Sequence, residues 1–243
     1  VEYEVARELP VTIILNDQEL VTLLCSPANL KYLAVGFLSS EGLLKSKDEI
    51  KKVMVDDERG VVRLETMEAK EFAEDALFKR IISSGCGRGA SFYSAADAAS
   101  QKVESQMEIS TDEIFALVNE FQHGSEVYLA TGGVHSAALC DRKGILVFSE
   151  DIVRHNAIDK ICGKCLLEDI STDDRVVITS GRISSEIMHK VAKRGIPIII
   201  SISAPTNLGV RIADNLGITL ISSIRGKRMN VCTNDWRVVT DGR

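Results

Sequence analysis

Six cysteines stand at positions 25, 86, 140, 162, 165 and 232, and one differs from the rest in its neighbours. Cys86 lies in Gly85-Cys86-Gly87-Arg88-Gly89, where flanking glycines leave little side-chain cover and wide backbone freedom. A thiol so placed is reachable by a partner. Arg88, two residues on, favours the thiolate, the form that attacks a sulfur donor and can carry a persulfide. The same residues also read as a tight turn with an incidental cysteine, and spacing alone does not separate the two. Cys162 and Cys165 form a C-x-x-C, which invites a redox or metal assignment. They also share a helical stripe with Ile158, Ile161 and Leu166, and free cysteine is among the most buried residue types. We assign them to the core, with Cys25 and Cys140 in apolar strand-like runs; Cys232, in a mixed segment, is assigned to neither class.

Three further groups can carry chemistry. From Glu150 to Lys160 the chain opens on two acids, then Arg154, His155 and Asn156, at a strand-to-helix junction. That density suits a ligand-orienting network, and equally a charged helix cap. His135, two residues past Gly133, is similarly open. Arg225, Lys227 and Arg228 surround Gly226 directly after a strand-like run, a basic turn suited to phosphate through side-chain and backbone donors. Its plain alternative is a solvated charged turn.

These residues need a scaffold. The 243-residue chain is 45% hydrophobic and 26% charged, with a net charge of -6. Such values fit one large domain or a medium domain with an appendage, and argue against a general nucleic-acid binder. No apolar run is long enough to span a bilayer and no secretory leader is evident, so a soluble, non-secreted protein with free thiols in a reducing compartment is expected. Alternation over residues 11–24 around Asn16-Asp17 predicts a hairpin. Ser26-Pro27 predicts the start of a helix with an apolar stripe of Leu30, Leu33, Phe37 and Leu38, closed by Gly42. A second hairpin is expected over 51–65, turning at Arg59-Gly60. Together they predict a small α+β unit over 1–79, followed by an α/β domain over 80–243. There a capping box at Ser110 and Glu113 opens a helix carrying Ile114, Leu117, Val118 and Phe121. A strand at 127–131, a hairpin through Asp141 and Gly144, and a helix near 155–167 follow. Strands at 175–179, 196–202 and 218–224 then alternate with helices at 185–193 and 207–216, the order of a parallel sheet covered by helices. Thr131-Gly132-Gly133, Ser180-Gly181-Arg182 and Ala204-Pro205-Thr206 follow apolar strands, so the working surface is expected at the strands' carboxyl ends.

In this order, the stretches Leu33-Ala34-Val35-Gly36-Phe37-Leu38-Ser39-Ser40-Glu41-Gly42, the Cys86 loop, Thr131-Gly132-Gly133-Val134-His135, Arg154-His155-Asn156-Ala157-Ile158-Asp159-Lys160, Ser180-Gly181-Arg182 and Ala204-Pro205-Thr206 resemble the formate dehydrogenase accessory sulfurtransferases, the FdhD/NarQ family. The resemblance covers nearly the whole chain. It implies a cytoplasmic sulfurtransferase that accepts sulfur as a persulfide from a cysteine desulfurase. The sulfur passes to the molybdenum bis(molybdopterin guanine dinucleotide) cofactor used by formate dehydrogenase, held as a substrate, with no metal bound by the protein itself. Cys86 matches the sulfur-carrying cysteine, and Ser223, Ile224, Arg225, Gly226, Lys227 and Arg228 match the cofactor segment. The implied fold is a three-layer α/β/α core similar to cytidine deaminases, with a smaller N-terminal α+β subdomain, in a homodimer that engages neither nucleic acid nor membrane. Many relatives carry a second cysteine three residues after the first; Gly89 stands there, and relay through Cys86 alone is chemically sufficient. Val153 likewise replaces a usual glycine. Two other functions compete. Zinc-dependent deamination needs H-x-E and P-C-x-x-C, but His135 precedes Ser136-Ala137 and no proline precedes Cys162. A cofactor-binding chaperone without sulfur chemistry would tolerate loss of Cys86.

Overall fold

The computed structural model describes residues 4–68, 80–82, 90–92 and 102–240. Cys86, the glycines around it and Arg88 lie outside the described residues, as does the expected boundary at residue 79. At the N-terminal end, β1 (Leu9–Leu15) and β2 (Gln18–Cys25) form the expected hairpin. Asn16 and Asp17 both hold positive φ, 49° and 63°, the two-residue turn whose twist matches that of the strands. Helix α1 (Leu30–Ser40) packs on a four-stranded sheet ordered β2-β1-β4-β3, completed by the hairpin of β3 (Ile50–Asp56) and β4 (Val61–Thr66). The helix starts later than Ser26-Pro27 predicts, with Asn29 at its N-cap. Ser26 cannot cap it: its hydroxyl accepts the Ile152 N–H (3.1 Å) and its own N–H donates to Asp151 (3.1 Å). Two short strands follow, β5 (Arg80–Ile82) and β6 (Ala90–Phe92), paired antiparallel with Ile82 opposite Ala90.

Beyond β7 (Ile109–Ser110), the predicted capping box is in place at the start of α2 (Thr111–His123). The Glu113 N–H donates to Ser110 Oγ (3.2 Å) and the Ser110 N–H to Glu113 Oε2 (2.8 Å). The strand expected at 127–131 is instead a short helix, α3 (Glu126–Thr131). Glu150 accepts the N–H groups of Val127 and Tyr128, each at 3.3 Å, and Gly132 closes the turn at φ 62° by donating to Tyr128 O (2.7 Å). The apolar run that suggested a strand faces solvent, with Leu129 67% exposed.

The larger sheet contains β8 (His135–Cys140), β9 (Ile145–Asp151), β10 (Val176–Thr179), β11 (Ile198–Ser201), β12 (Thr219–Arg225) and β13 (Arg228–Thr233), ordered β13-β12-β11-β10-β8-β9. Strands β10, β11 and β12 are mutually parallel; β8 and β13 run antiparallel to them, and β9 antiparallel to β8. The parallel order predicted for this segment therefore holds for its three central strands. Helices α4 (Arg154–Leu167), α5 (Ser185–Lys193) and α6 (Asn207–Asn215) cover one face, against Val177, Ile199 and Leu220. Helix α2 covers the other, against Val176, Ile178, Ile198, Ile200 and Ile221. Burial on both faces explains why β10 and β11 are apolar almost throughout. A last strand, β14 (Val238–Val239), pairs in parallel with β7.

Helices α1 and α4 join the two regions at backbone distance. A Cβ on Gly36 would lie 1.7 Å from Asp159 O, and one on Gly163 1.9 Å from Tyr32 O. Only glycine fits at either position.

Candidate functional site

Because β9 runs parallel to β10, and β8 antiparallel to both, His135, Asp151, Thr179, Ser201 and Arg225 all reach the same edge of the larger sheet. Polar side chains stitch that edge together. The Ser180 N–H donates to Ser136 O (3.0 Å) and Ser180 Oγ accepts the Ser136 N–H (3.0 Å). Gly181 N–H donates to Thr179 Oγ1 (3.1 Å) while Gly181 O accepts from Ser201 Oγ (2.8 Å). Ser201 Oγ in turn accepts the Ser203 N–H (2.9 Å), and Ser203 O the Ser223 N–H (3.3 Å). The chain of contacts runs from His135, whose Nδ1 is 3.2 Å from Ser180 Oγ, to the start of the basic turn.

In that turn Ser223 and Gly226 hold positive φ, 54° and 58°, and Arg225, Gly226, Lys227 and Arg228 are exposed. The Ile224 side chain is buried against the α2 face of the sheet, so only its backbone can meet a ligand. Thr206, following Ala204-Pro205, caps α6 by accepting the Gly209 N–H (3.1 Å).

The junction from Glu150 to Lys160 divides into separate roles. Asp151 and Lys160 form a buried ion pair at 2.7 Å. Asp151 also accepts from the Val153 N–H (2.9 Å), Asn156 Nδ2 (3.0 Å) and the Ser26 N–H, and Lys160 donates to the carbonyls of Ser26 and Glu150, each at 3.2 Å. Burial holds the Asp151 carboxyl above its usual pKa, opposed by Lys160 and the amide donors. Asp159 is buried too, gripped by Lys190 at 2.7 and 2.8 Å and by Ser40 Oγ at 2.7 Å. His155 sits 3.0 Å from Glu186. Arg154 is buried against Gly181. His135 has its pKa pushed down by burial and by the charges of Arg154 and His155.

The C-x-x-C is core, as its stripe predicts. Cys162 and Cys165 are each 1% exposed, with thiols pushed up to about 12 and about 11 by burial. Cys25 and Cys140 are likewise buried and raised to about 12. Cys232 is half-buried, 3.3 Å from Ser222 Oγ. Among the described residues no group of three or more histidine, cysteine or acidic side chains is placed to hold a metal, and no helix is long and apolar enough to cross a membrane. A cavity of about 530 Å³ lies at the opposite end of the sheet, lined by Met107, Asp141, Arg142 and Arg175 among others, and contains none of the candidate residues. Sequence reasoning did not find the Asp151 hub, since its partners Leu24 and Ser26 lie more than 120 residues away. The one available signal was the spacing of Asn156 and Lys160 on one helix face.

Residues 6–239 match the model of the FdhD/NarQ family. The sulfur carrier protein FdhD of Bacillus subtilis (strain 168) is 42% identical over 239 residues, 98% of this chain and 91% of the relative. That of Listeria innocua is 43% identical over 241 residues, 98% and 92% of the two chains. Among solved structures, a candidate formate dehydrogenase accessory protein from Desulfotalea psychrophila superposes with a TM-score of 0.81 at 28% identity, over 98% of this chain and 91% of that one.

Proposed function

Because the chain belongs to the FdhD/NarQ family, we propose that it is a sulfurtransferase that takes sulfur from a cysteine desulfurase as a persulfide on Cys86 and passes it to molybdenum bis(molybdopterin guanine dinucleotide) for formate dehydrogenase. The relatives' name of sulfur carrier supports this, as does the accessory role for which the Desulfotalea protein is named. The observation that carries it is the state of the other thiols. Cys25, Cys140, Cys162 and Cys165 are buried with pKa values of about 11 to 12, so hardly any thiolate exists at neutral pH and no partner protein can reach them. Cys86, flanked by Gly85 and Gly87 and followed by Arg88, has the sequence context of an accessible, activated thiol. In the accepting step its thiolate attacks the outer sulfur of the donor's persulfide. A new S–S bond forms on Cys86, the donor's S–S bond breaks, and its electron pair stays on the donor thiolate.

The basic turn supplies the grip on the substrate's guanine dinucleotide, through the side chains of Arg225, Lys227 and Arg228 and the backbone of Ser223, Ile224 and Gly226. A homodimer, a cytoplasmic setting and a cytidine deaminase-like core go with the same reading. Intact-mass analysis after incubation with a cysteine desulfurase and cysteine tests it. One added sulfur is expected on the wild type and none on Cys86→Ala; sulfur that persists on Cys86→Ala sinks the assignment.

A further inference from the structure

Four cationic side chains are buried among the described residues: Arg154, Lys160, Lys190 and Arg237. Three are compensated. Lys160 meets Asp151, Lys190 meets Asp159, and Arg237 donates to the carbonyls of Gly217 and Ser105, both at 2.8 Å. Arg154 is the exception. It is 7% exposed, its Nε has no hydrogen-bond partner and, unlike Arg237, its guanidinium makes no hydrogen bond or ion pair with the described residues. A largely buried guanidinium that pairs with nothing, at the edge of an α/β sheet where ligands bind, points to an anion site.

The surroundings define that anion. Arg154 opens the 14-residue helix α4, and Val153 at its N-cap offers no side-chain bond. Arg154 is thus the first residue of a helix whose first amides and positive dipole end favour an anion. Gly181 lets the arginine stem lie against the end of β10; a Cβ there would be 2.7 Å from Arg154 Cβ and 3.0 Å from its Cδ. The nearest acid of the junction is already committed, since the Asp151 oxygens take Lys160, Asn156, Val153 and Ser26. A guanidinium plus several amides offers more donors than a carboxylate can use, and suits a tetrahedral oxyanion.

We propose that Arg154 and the first amides of α4 form an anion site that takes a phosphate-class oxyanion at the carboxyl edge of the sheet, distinct from the basic turn of Arg225, Lys227 and Arg228. The site involves no cysteine and stands apart from the sulfur-transfer reading. Persulfide formation on Cys86 can fail while anion binding holds, and the reverse. Free pyrophosphate and a nucleoside diphosphate share this chemistry, so the test includes both.

Calorimetric titration of the full chain carrying Arg225→Ala and Arg228→Ala isolates the site. Pyrophosphate and GDP are the probes, and the tighter of the two identifies the source as free anion or ester. Adding Arg154→Gln should weaken binding roughly tenfold or more, with Arg154→Lys recovering part of it. In the wild type, pyrophosphate should also move the His135 ring-proton titration to higher pH, because an anion would offset the Arg154 and His155 charges that, after burial, depress it. Equal binding by a folded Arg154→Gln protein overturns the proposal. So does the absence of any His135 shift at millimolar pyrophosphate, a readout that needs no variant.

Discussion

At the scale of single residues, environment decides chemistry more than identity does. Six cysteines share one functional group, yet the four buried ones have thiols too weakly acidic to matter. At pH 8 a thiol of pKa 12 is thiolate in only about one molecule in ten thousand. Limited alkylation of the native protein should therefore leave Cys25, Cys140, Cys162 and Cys165 unlabelled until denaturant is added, as peptide mapping will show. Replacing Cys162 and Cys165 together with alanine should preserve sulfur acceptance and lower stability by about 1 to 3 kcal/mol in urea unfolding, because small buried volumes are lost. A folded double variant that no longer accepts sulfur would reopen a redox role. The burial of these cysteines was legible in the sequence because a helical stripe repeats locally. The burial of Arg154 was not: it depends on Gly181, in the bend after β10, leaving room for the stem.

Elements were legible where their signals were local. The Ser110 and Glu113 box, the Asn16-Asp17 turn and the alternation of strands and helices beyond residue 175 each fold as their residue patterns dictate. The two departures have one cause. Ser26 and the 127–131 run have their backbone groups satisfied by distant partners, Asp151 and Glu150, and no local pattern reveals a distant carboxylate. The crossing of α1 and α4 makes a sharp prediction. Gly36→Ala or Gly163→Ala must push the helices apart, costing about 1 to 3 kcal/mol or more in chemical denaturation. Because the two glycines touch at one crossing, the double variant should cost less than the sum. At the basic turn, Arg225→Ala with Arg228→Ala should weaken GDP binding tenfold or more by calorimetry. Charge-assisted contacts contribute about 1.5 to 3 kcal/mol each, and a decade is about 1.4 kcal/mol. Sulfur acceptance by Cys86 should be unchanged in the same protein.

Over the whole molecule, the Asp151 hub fastens the N-terminal sheet to the larger one. Asp151 and Lys160 reach Leu24 and Ser26 directly or through Asn156, and α1 lies on α4. Lys160→Met would strand a buried carboxylate, and about 3 to 5 kcal/mol of stability should be lost. Thermal unfolding by circular dichroism measures this; adding Asp151→Leu should recover much of the loss, since an apolar pair restores the balance of charge. Layering and strand order could be anticipated from the sequence, but this fastening could not, for it joins residues 125 apart. That separation matters during synthesis. The ribosome releases β2 and α1 long before α4, so the N-terminal segment emerges with the groove around Gly36 bare and the polar groups of Ser26 unanswered. Domains generally fold as units as the chain is made, at about 5 to 20 residues per second. For several seconds, then, this segment waits for its other half, and a nascent chain stalled before residue 163 should be the most protease-sensitive and the most dependent on chaperones.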